Sequence, residues 1–276
     1  MISQAEKAER FLQLHRGETP LLLPNPWDAG TAKLFASLGF SALATTSSGH
    51  AATMGRFDGR VTKTEALDHA TAIVTATDLP VSADLENCFH DDPAGVADTV
   101  RLAVTAGLAG CSVEDYSGDD DRPIYESDHA ADRVAAAAEA AHSGPVRLVL
   151  TARSENYLHQ RTDLGDTIAR LQAFQEAGAD VLYAPGITEA GNLRTIVESV
   201  DLPVNVLALP GVPPVAELAE MGVARISVGG GFNLVGLGAV AKAALELLEQ
   251  GTYGYWEQAK AGTAARNTAF EEQLPK

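Results

Sequence analysis

Acidic side chains follow two consecutive apolar segments of the chain. Asp84 and Glu86 stand two residues apart, so in an extended segment both carboxylates point the same way. Glu114 ends the next apolar segment at the same level. Converging carboxylates in a poorly solvated pocket must bind a cation, pair with arginine or take up protons. Oxygen ligands without nearby His or Cys favour Mg²⁺, or else Mn²⁺, over Zn²⁺, so the pattern predicts a magnesium site.

A hydroxyl-rich turn at residues 45–50 and a single arginine, Arg153, suggest an anionic ligand. The backbone amides of such a turn can hold a carboxylate or an enolate oxygen, and a guanidinium can bind a carboxylate through two hydrogen bonds. Structural alternatives stay open for each feature. The turn fits an ordinary serine-rich turn, Arg153 fits a salt bridge to Glu114 or Asp84, and the carboxylates fit helix caps or partners of arginines such as Arg56.

Eight short apolar segments alternate with helical patterns and must position these side chains. Continuous apolar strands suit a parallel sheet that is buried on both faces. Thr62 and Glu65 fit a capping box, and Pro93 suits a first helical turn. The alternation predicts a closed (β/α)₈ barrel with its site at the carboxyl ends of the strands; an open doubly wound sheet is the alternative. The predicted strands are residues 21–24, 42–46, 80–84, 110–114, 147–151, 181–184, 204–207 and 225–228.

No linker divides the chain, so residues 1–276 are predicted to form one barrel domain with added N-terminal and C-terminal helices. The C-terminal tail, residues 251–276, is the candidate segment for oligomerisation. Three glycines, Gly229, Gly230 and Gly231, follow the eighth strand. They fit either a phosphate site, which many barrels carry at this place, or a tight turn with close backbone packing.

Charge and composition limit the partners. The net charge of −17 argues against a nucleic-acid partner, which needs clustered Lys and Arg, and it disfavours anionic membrane surfaces. No apolar run reaches the roughly 18 residues of a membrane span, so no membrane partner is expected. Cys88 and Cys111 do not form a disulfide scaffold, and the N-terminus lacks the apolar region of a signal peptide. A cytoplasmic protein is the expectation.

Taken in order, these motifs resemble the isocitrate lyase/phosphoenolpyruvate mutase superfamily. The resemblance extends over nearly the whole predicted barrel, from Asn25 to Gly230, and it rests on the order and spacing of several short motifs. These are Ser47-Ser48-Gly49, Asp58 after Gly55, Asp84-Leu85-Glu86, Glu114-Asp115 and Ala152-Arg153-Ser154-Glu155.

The resemblance implies a specific division of labour in the site. Mg²⁺ would lie among Asp58, Asp84, Glu86 and Glu114, partly through water, and a 2-oxo acid would chelate it. The serine turn would hold the oxo or enolate oxygen, and Arg153 the carboxylate. The last helix would be exchanged between subunits, giving a homo-oligomer that is a dimer or tetramer. The expected catalytic residues are Ser47, Glu114 and Arg153, and the expected substrate contacts are Ser47, Ser48, Gly49, Arg153, Asn205 and Trp27.

The loop after the fourth strand departs from the superfamily pattern. Lyases of the superfamily carry a thiol there, and the phosphonate-bond enzymes carry Lys and Asn, but residues 116–125 contain none of the three. An isocitrate or methylisocitrate lyase and a phosphonate mutase are therefore not expected. The candidate proton donors that remain are Tyr116, Tyr125, Arg122 and His90.

The leading expectation is a Mg²⁺-dependent enzyme that cleaves a carbon–carbon bond in a small 2-oxo acid or a related 2-hydroxy diacid through a metal-stabilised enolate. Lysis, decarboxylation and hydrolysis all stay open. One alternative is a regulatory barrel that binds a 2-oxo acid without turnover. Another is a phosphate-binding barrel that uses the three glycines after the eighth strand.

Overall fold

A computed structural model describes residues 2–119 and 121–270 of the chain. The strands are β1 (Leu21–Leu23), β2 (Leu43–Ala44), β3 (Val81–Ala83), β4 (Gly110–Glu114), β5 (Val149–Arg153), β6 (Val181–Tyr183), β7 (Val204–Leu207) and β8 (Arg225–Ser227). The helices are α1 (Gln4–Leu14), α2 (Ala29–Ser37), α3 (Ser47–Thr53), α4 (Lys63–Ala76), α5 (Pro93–Thr105), α6 (Ser127–His142), α7 (Leu164–Glu176), α8 (Ala190–Ser199), α9 (Val215–Glu220), α10 (Gly231–Gln250) and α11 (Trp256–Phe270).

All eight strands are parallel and belong to one sheet. β1 pairs with β8, and the order then runs back along the chain from β8 to β2. The amide of Ala44 donates to the carbonyl of Pro24 at 3.1 Å, which brings the two outer strands together. The sheet is therefore a nearly closed barrel surrounded by helices, and the predicted (β/α)₈ fold is confirmed.

Local sequence signals explain several element boundaries. Ser3 with Glu6 and Thr62 with Glu65 form reciprocal capping boxes at the starts of α1 and α4. Two predictions were wrong in detail. β5 lies two residues later than expected, so Arg153 is its last residue. The hydroxyl-rich turn is the start of α3, because the Thr46 hydroxyl accepts the Gly49 amide and caps a helix.

The N-terminal end of the barrel is closed by α1. Phe11 is fully buried and belongs to an apolar cluster with residues of β1, β5 and β6. A Cβ atom at Gly110 would lie 2.7 Å from the Val149 carbonyl oxygen and 2.9 Å from the Phe11 ring. Glycine is thus required where β4 passes the Phe11 ring. The pocket opens at the opposite, carboxyl end of the strands.

The C-terminal helices carry a long exposed apolar surface. α10 is 20 residues long and is apolar enough to cross a membrane by length and composition alone, which corrects the expectation that no segment is. Counting uninterrupted apolar runs missed it, because Asn233, Lys242 and Glu246 interrupt the run. α11 packs against α2, where the Phe270 ring lies beside Gly30. The last residues of the predicted oligomerisation tail, 271–276, lie outside the described residues.

Candidate active site

Arg153 is at the centre of a cluster of charged side chains at the carboxyl end of the barrel. Its Nη1 atom donates to Asp84 Oδ1 at 2.8 Å and lies 3.2 Å from Glu114 Oε2. Its Nε atom donates to Glu155 Oε1 at 2.9 Å. The register of β4 and β5 places Glu114 directly opposite Arg153. The salt bridges that the sequence left open as an alternative are therefore formed, and they include a third carboxylate.

One guanidinium faces three carboxylates in this cluster, so the site carries excess negative charge. Burial raises the pKa of Glu114 well above its ordinary value, although the positive charge of Arg153 opposes the shift. Burial alone would lower the pKa of Arg153. The negative charges of Glu155, Glu114 and Asp84 outweigh burial and raise this pKa well above its ordinary value. The arginine is therefore charged, and the carboxylates still have an unmet demand for protons or for another cation.

Two more acids extend this negative region. Burial, followed by repulsion from Asp84 and Asp58, raises the pKa of Glu86 to about 8. Asp58 is exposed at its residue surface, but partial desolvation of its carboxyl group and then repulsion from Asp84 also raise its pKa. The other three predicted metal-binding carboxylates, Asp58, Glu86 and Glu114, thus all lie close enough to Asp84 for its charge to raise their pKa values.

The start of α3 holds Asp84 from the other side. The Ser47 hydroxyl donates to Asp84 Oδ2 at 2.9 Å, and the Ser47 amide donates to the same oxygen at 3.2 Å. The Asp84 amide donates to the Thr45 hydroxyl at 2.9 Å. Because its two oxygens accept from Arg153 and Ser47 respectively, Asp84 joins the serine segment to the arginine cluster.

These groups surround a pocket of about 170 Å³ that extends from the strand ends into the barrel. Trp27 and Gly49, which were expected to contact substrate, do not line it. Gly49 is buried, and a Cβ atom there would lie 2.6 Å from the Thr46 methyl group, so its absence of a side chain serves packing. Glu86 and Glu114 do not line the pocket either. The predicted residues that do line the pocket are Ser47, Ser48, Asp58, Asp84, Arg153, Asn205, Gly229 and Gly230.

The segment that carries Glu86 is strained. Glu86, Cys88 and Phe89 all have positive φ, at 50°, 59° and 57°, which is costly for residues other than glycine. The fully buried Arg133 of α6 stabilises this segment. Its guanidinium donates to the carbonyls of Asn87 at 2.5 Å and Glu114 at 2.8 Å. Arg133 thus joins the Glu86 and Glu114 segments. Its position within an alanine-rich helix does not indicate this role from the sequence.

Comparison with known proteins identifies the family of the chain. The sequence model of a family described as phosphoenolpyruvate phosphomutase matches residues 11–248. The chain belongs to this family.

Among its relatives, an uncharacterised Mycobacterium tuberculosis protein is 33% identical over 235 residues, which are 85% of this chain and 87% of the relative. The 2-methylisocitrate lyase of Halalkalibacterium halodurans is 29% identical over 241 residues, 85% of this chain and 75% of the enzyme. A solved structure from Burkholderia cenocepacia J2315, assigned to a lyase/mutase class, superposes with a TM-score of 0.94 at 48% identity and covers 98% of this chain and 97% of its own. The phosphoenolpyruvate phosphomutase family therefore includes lyases, and this chain has the same fold over almost its entire length.

A magnesium ion would fit the site only with most of its water retained. Over residues 2–119 and 121–270, no three His, Cys, Asp or Glu side chains lie at metal-ligating spacing. Mg²⁺ keeps several waters and binds through one or two carboxylates, so it needs no such cage. A donor set made of carboxylate oxygens, without His or Cys, suits it. In this family member Asp84 would be the direct ligand, with Asp58, Glu86 and Glu114 acting through water.

The loop after β4 stays away from the pocket. Tyr116 pairs with Ile124 in an antiparallel bridge, and the Tyr125 hydroxyl donates to Asp91 Oδ1 at 2.6 Å. None of the described residues between 116 and 125 lines the pocket, and neither does His90. In this arrangement the four candidate proton donors of the sequence are not positioned for a ligand in the pocket.

Proposed function

We propose that this protein is a Mg²⁺-dependent lyase-type enzyme that cleaves a carbon–carbon bond in a small 2-oxo acid or a related 2-hydroxy diacid. The observation that supports this most is the excess of carboxylates around Arg153, beside a pocket that ends at the serine segment of α3. Family membership supports the enzyme class, because the family includes 2-methylisocitrate lyases. The finer assignments, to a metal ion and to a 2-oxo acid, rest on the charges and donors of the site.

The protein's own residues would bind and orient the substrate. Arg153 and the amide and hydroxyl of Ser47 place hydrogen-bond donors at one side of the pocket, where negative charge develops on an enolate oxygen as the bond to C3 breaks. When bound, Mg²⁺ would supply Lewis-acid stabilisation and a template for the two substrate oxygens. Ser47 and Arg153 both donate to Asp84. Binding of a cation by Asp84 would free these donors for the substrate.

Turnover of a substrate panel tests this proposal. We expect at least one 2-oxo acid or 2-hydroxy diacid to be cleaved in the presence of Mg²⁺ and none in the presence of a chelator. Ser47→Ala should lower kcat roughly 100-fold, because it removes a donor to the developing charge. Ser199→Ala, a half-buried position on α8 that does not line the pocket, is the matched control. Cleavage that persists with chelator, or a Ser47→Ala enzyme with unchanged kcat, would contradict the proposal.

A regulatory barrel that binds a 2-oxo acid is the second candidate function. It is favoured by one observation: no described residue of the loop after β4 lines the pocket, so this loop supplies neither a thiol nor a proton donor there. Saturable Mg²⁺-dependent binding of a 2-oxo acid, without turnover of any member of the panel, would support this function over the lyase.

We also propose that the protein forms a homo-oligomer through α10. Leu234, Val235, Val240 and Leu248 of this helix are 66–82% exposed, and burying such a patch against a second copy removes apolar surface from water. Val240→Glu is expected to lower the mass measured by sedimentation, and an unchanged mass would count against this interface.

A further inference from the structure

The floor of the pocket contains a second arginine, Arg225, the first residue of β8. It is 4% exposed. Its Nε atom donates to Asn205 Oδ1 at 2.9 Å, and its Nη1 atom donates to the Thr151 hydroxyl at 3.1 Å. No Asp or Glu in the described parts of the chain lies within 4.0 Å of its guanidinium nitrogens. The positive charge of Arg225 therefore lacks an acidic partner.

His15 does not change this balance. Its Nδ1 atom lies 2.8 Å from the Phe11 carbonyl oxygen, and its Nε2 atom lies 3.2 Å from Arg225 Nη1. This arrangement suits a neutral ring that donates to Phe11 and accepts from the arginine. Burial, followed by repulsion from Arg225, lowers the pKa of His15 to about 3. Burial also lowers the pKa of Arg225, to about 10, which leaves the guanidinium charged at neutral pH.

Unused hydrogen-bond donors accompany this charge. Arg225 Nη2 makes no hydrogen bond to any residue that the structure describes. The Ser112 hydroxyl is buried without a partner in the same described region, on β4 opposite Thr151. Both Arg225 and Ser112 line the pocket whose upper wall carries Asp84 and Arg153. A buried hydroxyl without a partner is unfavourable, so the pair indicates a missing acceptor.

We propose that Arg225 and Ser112 form an anion subsite that receives the distal carboxylate of a dicarboxylic substrate. Three carboxylates surround Arg153 and would repel a fourth, whereas no carboxylate lies beside Arg225 in the described parts of the chain. The distal carboxylate is therefore assigned to Arg225. A guanidinium and a hydroxyl match the in-plane lone pairs of a carboxylate. The assignment to a substrate carboxylate rests on the proposed function and narrows it to a 2-oxo diacid. The anion subsite itself is independent of that function.

The subsite is tested first without metal or substrate. Crystals of the full chain, soaked in bromide with a chelator, should show an anomalous peak in contact with Arg225 Nη2 and Ser112 Oγ. The peak should be lost in Arg225→Met and weakened in Ser112→Ala. Ser112→Ala should fold normally, because the hydroxyl it removes has no partner in the protein. A wild-type crystal with bromide only at surface sites would overturn the subsite, whatever the protein does with 2-oxo acids.

The ligand class is tested with two acids of equal length. 2-Oxoglutarate and 2-oxovalerate differ only in having a carboxylate or a methyl group at the distal end. With Mg²⁺ present, calorimetry should show that 2-oxoglutarate binds the wild type about tenfold or more tightly, the effect expected of one charged hydrogen-bonded contact. The preference should disappear in Arg225→Met, decrease in Ser112→Ala and persist in Ser199→Ala.

The two tests separate the two claims. A bromide peak at Arg225 with equal affinity for both acids would support an anion subsite and overturn its assignment to the distal carboxylate. If neither acid binds with Mg²⁺ while the bromide peak is present, the assignment to the distal carboxylate of a 2-oxo diacid is overturned and the anion subsite stands. The substrate panel then decides the proposed function separately.

Discussion

The two arginines that line the pocket, Arg153 and Arg225, have opposite surroundings. Both line the same pocket, one at the carboxyl end of β5 and the other at the first residue of β8. Arg153 contacts Asp84, Glu114 and Glu155, whereas Arg225 contacts Asn205, Thr151 and a neutral His15. The same side chain is thus overcompensated at one end of the pocket and uncompensated at the other. The upper end carries excess negative charge and the lower end an uncompensated positive charge, which is the polarity that a metal-chelated diacid would satisfy.

The largest expected effect follows from removing the upper arginine. In metal-free protein, Arg153→Met should lower the free energy of unfolding by about 3–5 kcal/mol, because it leaves buried carboxylates without their partner. Urea denaturation with a chelator measures this. Arg101→Met, which removes an exposed pairing with Asp98, is the control and should cost about 0.5 kcal/mol or less. A loss below about 1 kcal/mol for Arg153→Met would show that these carboxylates do not depend on the arginine.

Removing the lower arginine should cost less. Arg225→Met leaves no carboxylate unpaired and takes a charge out of the interior, so only the neutral partners Asn205 and Thr151 lose a donor. We expect a loss of about 1–2 kcal/mol in the same denaturation assay. A cost equal to that of Arg153→Met would mean that Arg225 serves as a structural centre of the barrel, and the contrast between the two arginines would then disappear.

The pH dependence of stability should differ in sign between the two regions. The pKa of Glu86 is raised from 4.5 to about 8, so its stabilising contribution is present below pH 4.5 and is lost as the pH rises through 8. The pKa of His15 is lowered from 6.5 to about 3, so its contribution is present above pH 6.5 and is lost as the pH falls towards 3. Urea midpoints of chelated protein from pH 4 to 9 measure both slopes.

Two variants assign these slopes. Glu86→Gln should remove the decline on the alkaline side and leave the acidic side unchanged, and His15→Gln should do the reverse. Curves that run parallel to the wild type in both variants would show that neither group controls the pH dependence.

The strands and helices of the barrel could be predicted from the sequence more completely than the contacts among the charged side chains of the pocket. Strand periodicity and the Thr62–Glu65 capping box are local signals, and they located all eight strands and the start of α4. Contacts of Arg153 with Asp84 and Glu114 were anticipated because strand ends meet at one edge of a barrel. The third carboxylate, Glu155, was visible two residues after Arg153 but was given no role.

Other features depend on packing between distant segments and had no local signal. The positive φ of Glu86 and Cys88 is imposed by tertiary contacts, among them the hydrogen bonds of Arg133 from α6. Arg225 was overlooked because an arginine at the start of a strand usually lies on the surface, and its burial follows from the plug that α1 makes with Phe11 and His15. The short helix α3 was taken for a turn because its serines and glycine are typical of turns.

The central claim, that the upper end of the pocket binds one divalent cation through Asp84, is tested most directly by titrating metal-free protein with Mn²⁺ and counting bound ions by electron paramagnetic resonance. We expect one bound Mn²⁺ ion per chain, which added Mg²⁺ displaces by competition. Asp84→Asn should weaken its affinity roughly 100-fold, as expected for loss of a ligand, and the exposed control Asp98→Asn should leave it unchanged. No bound ion in the wild type, or equal affinity in Asp84→Asn, would contradict the account.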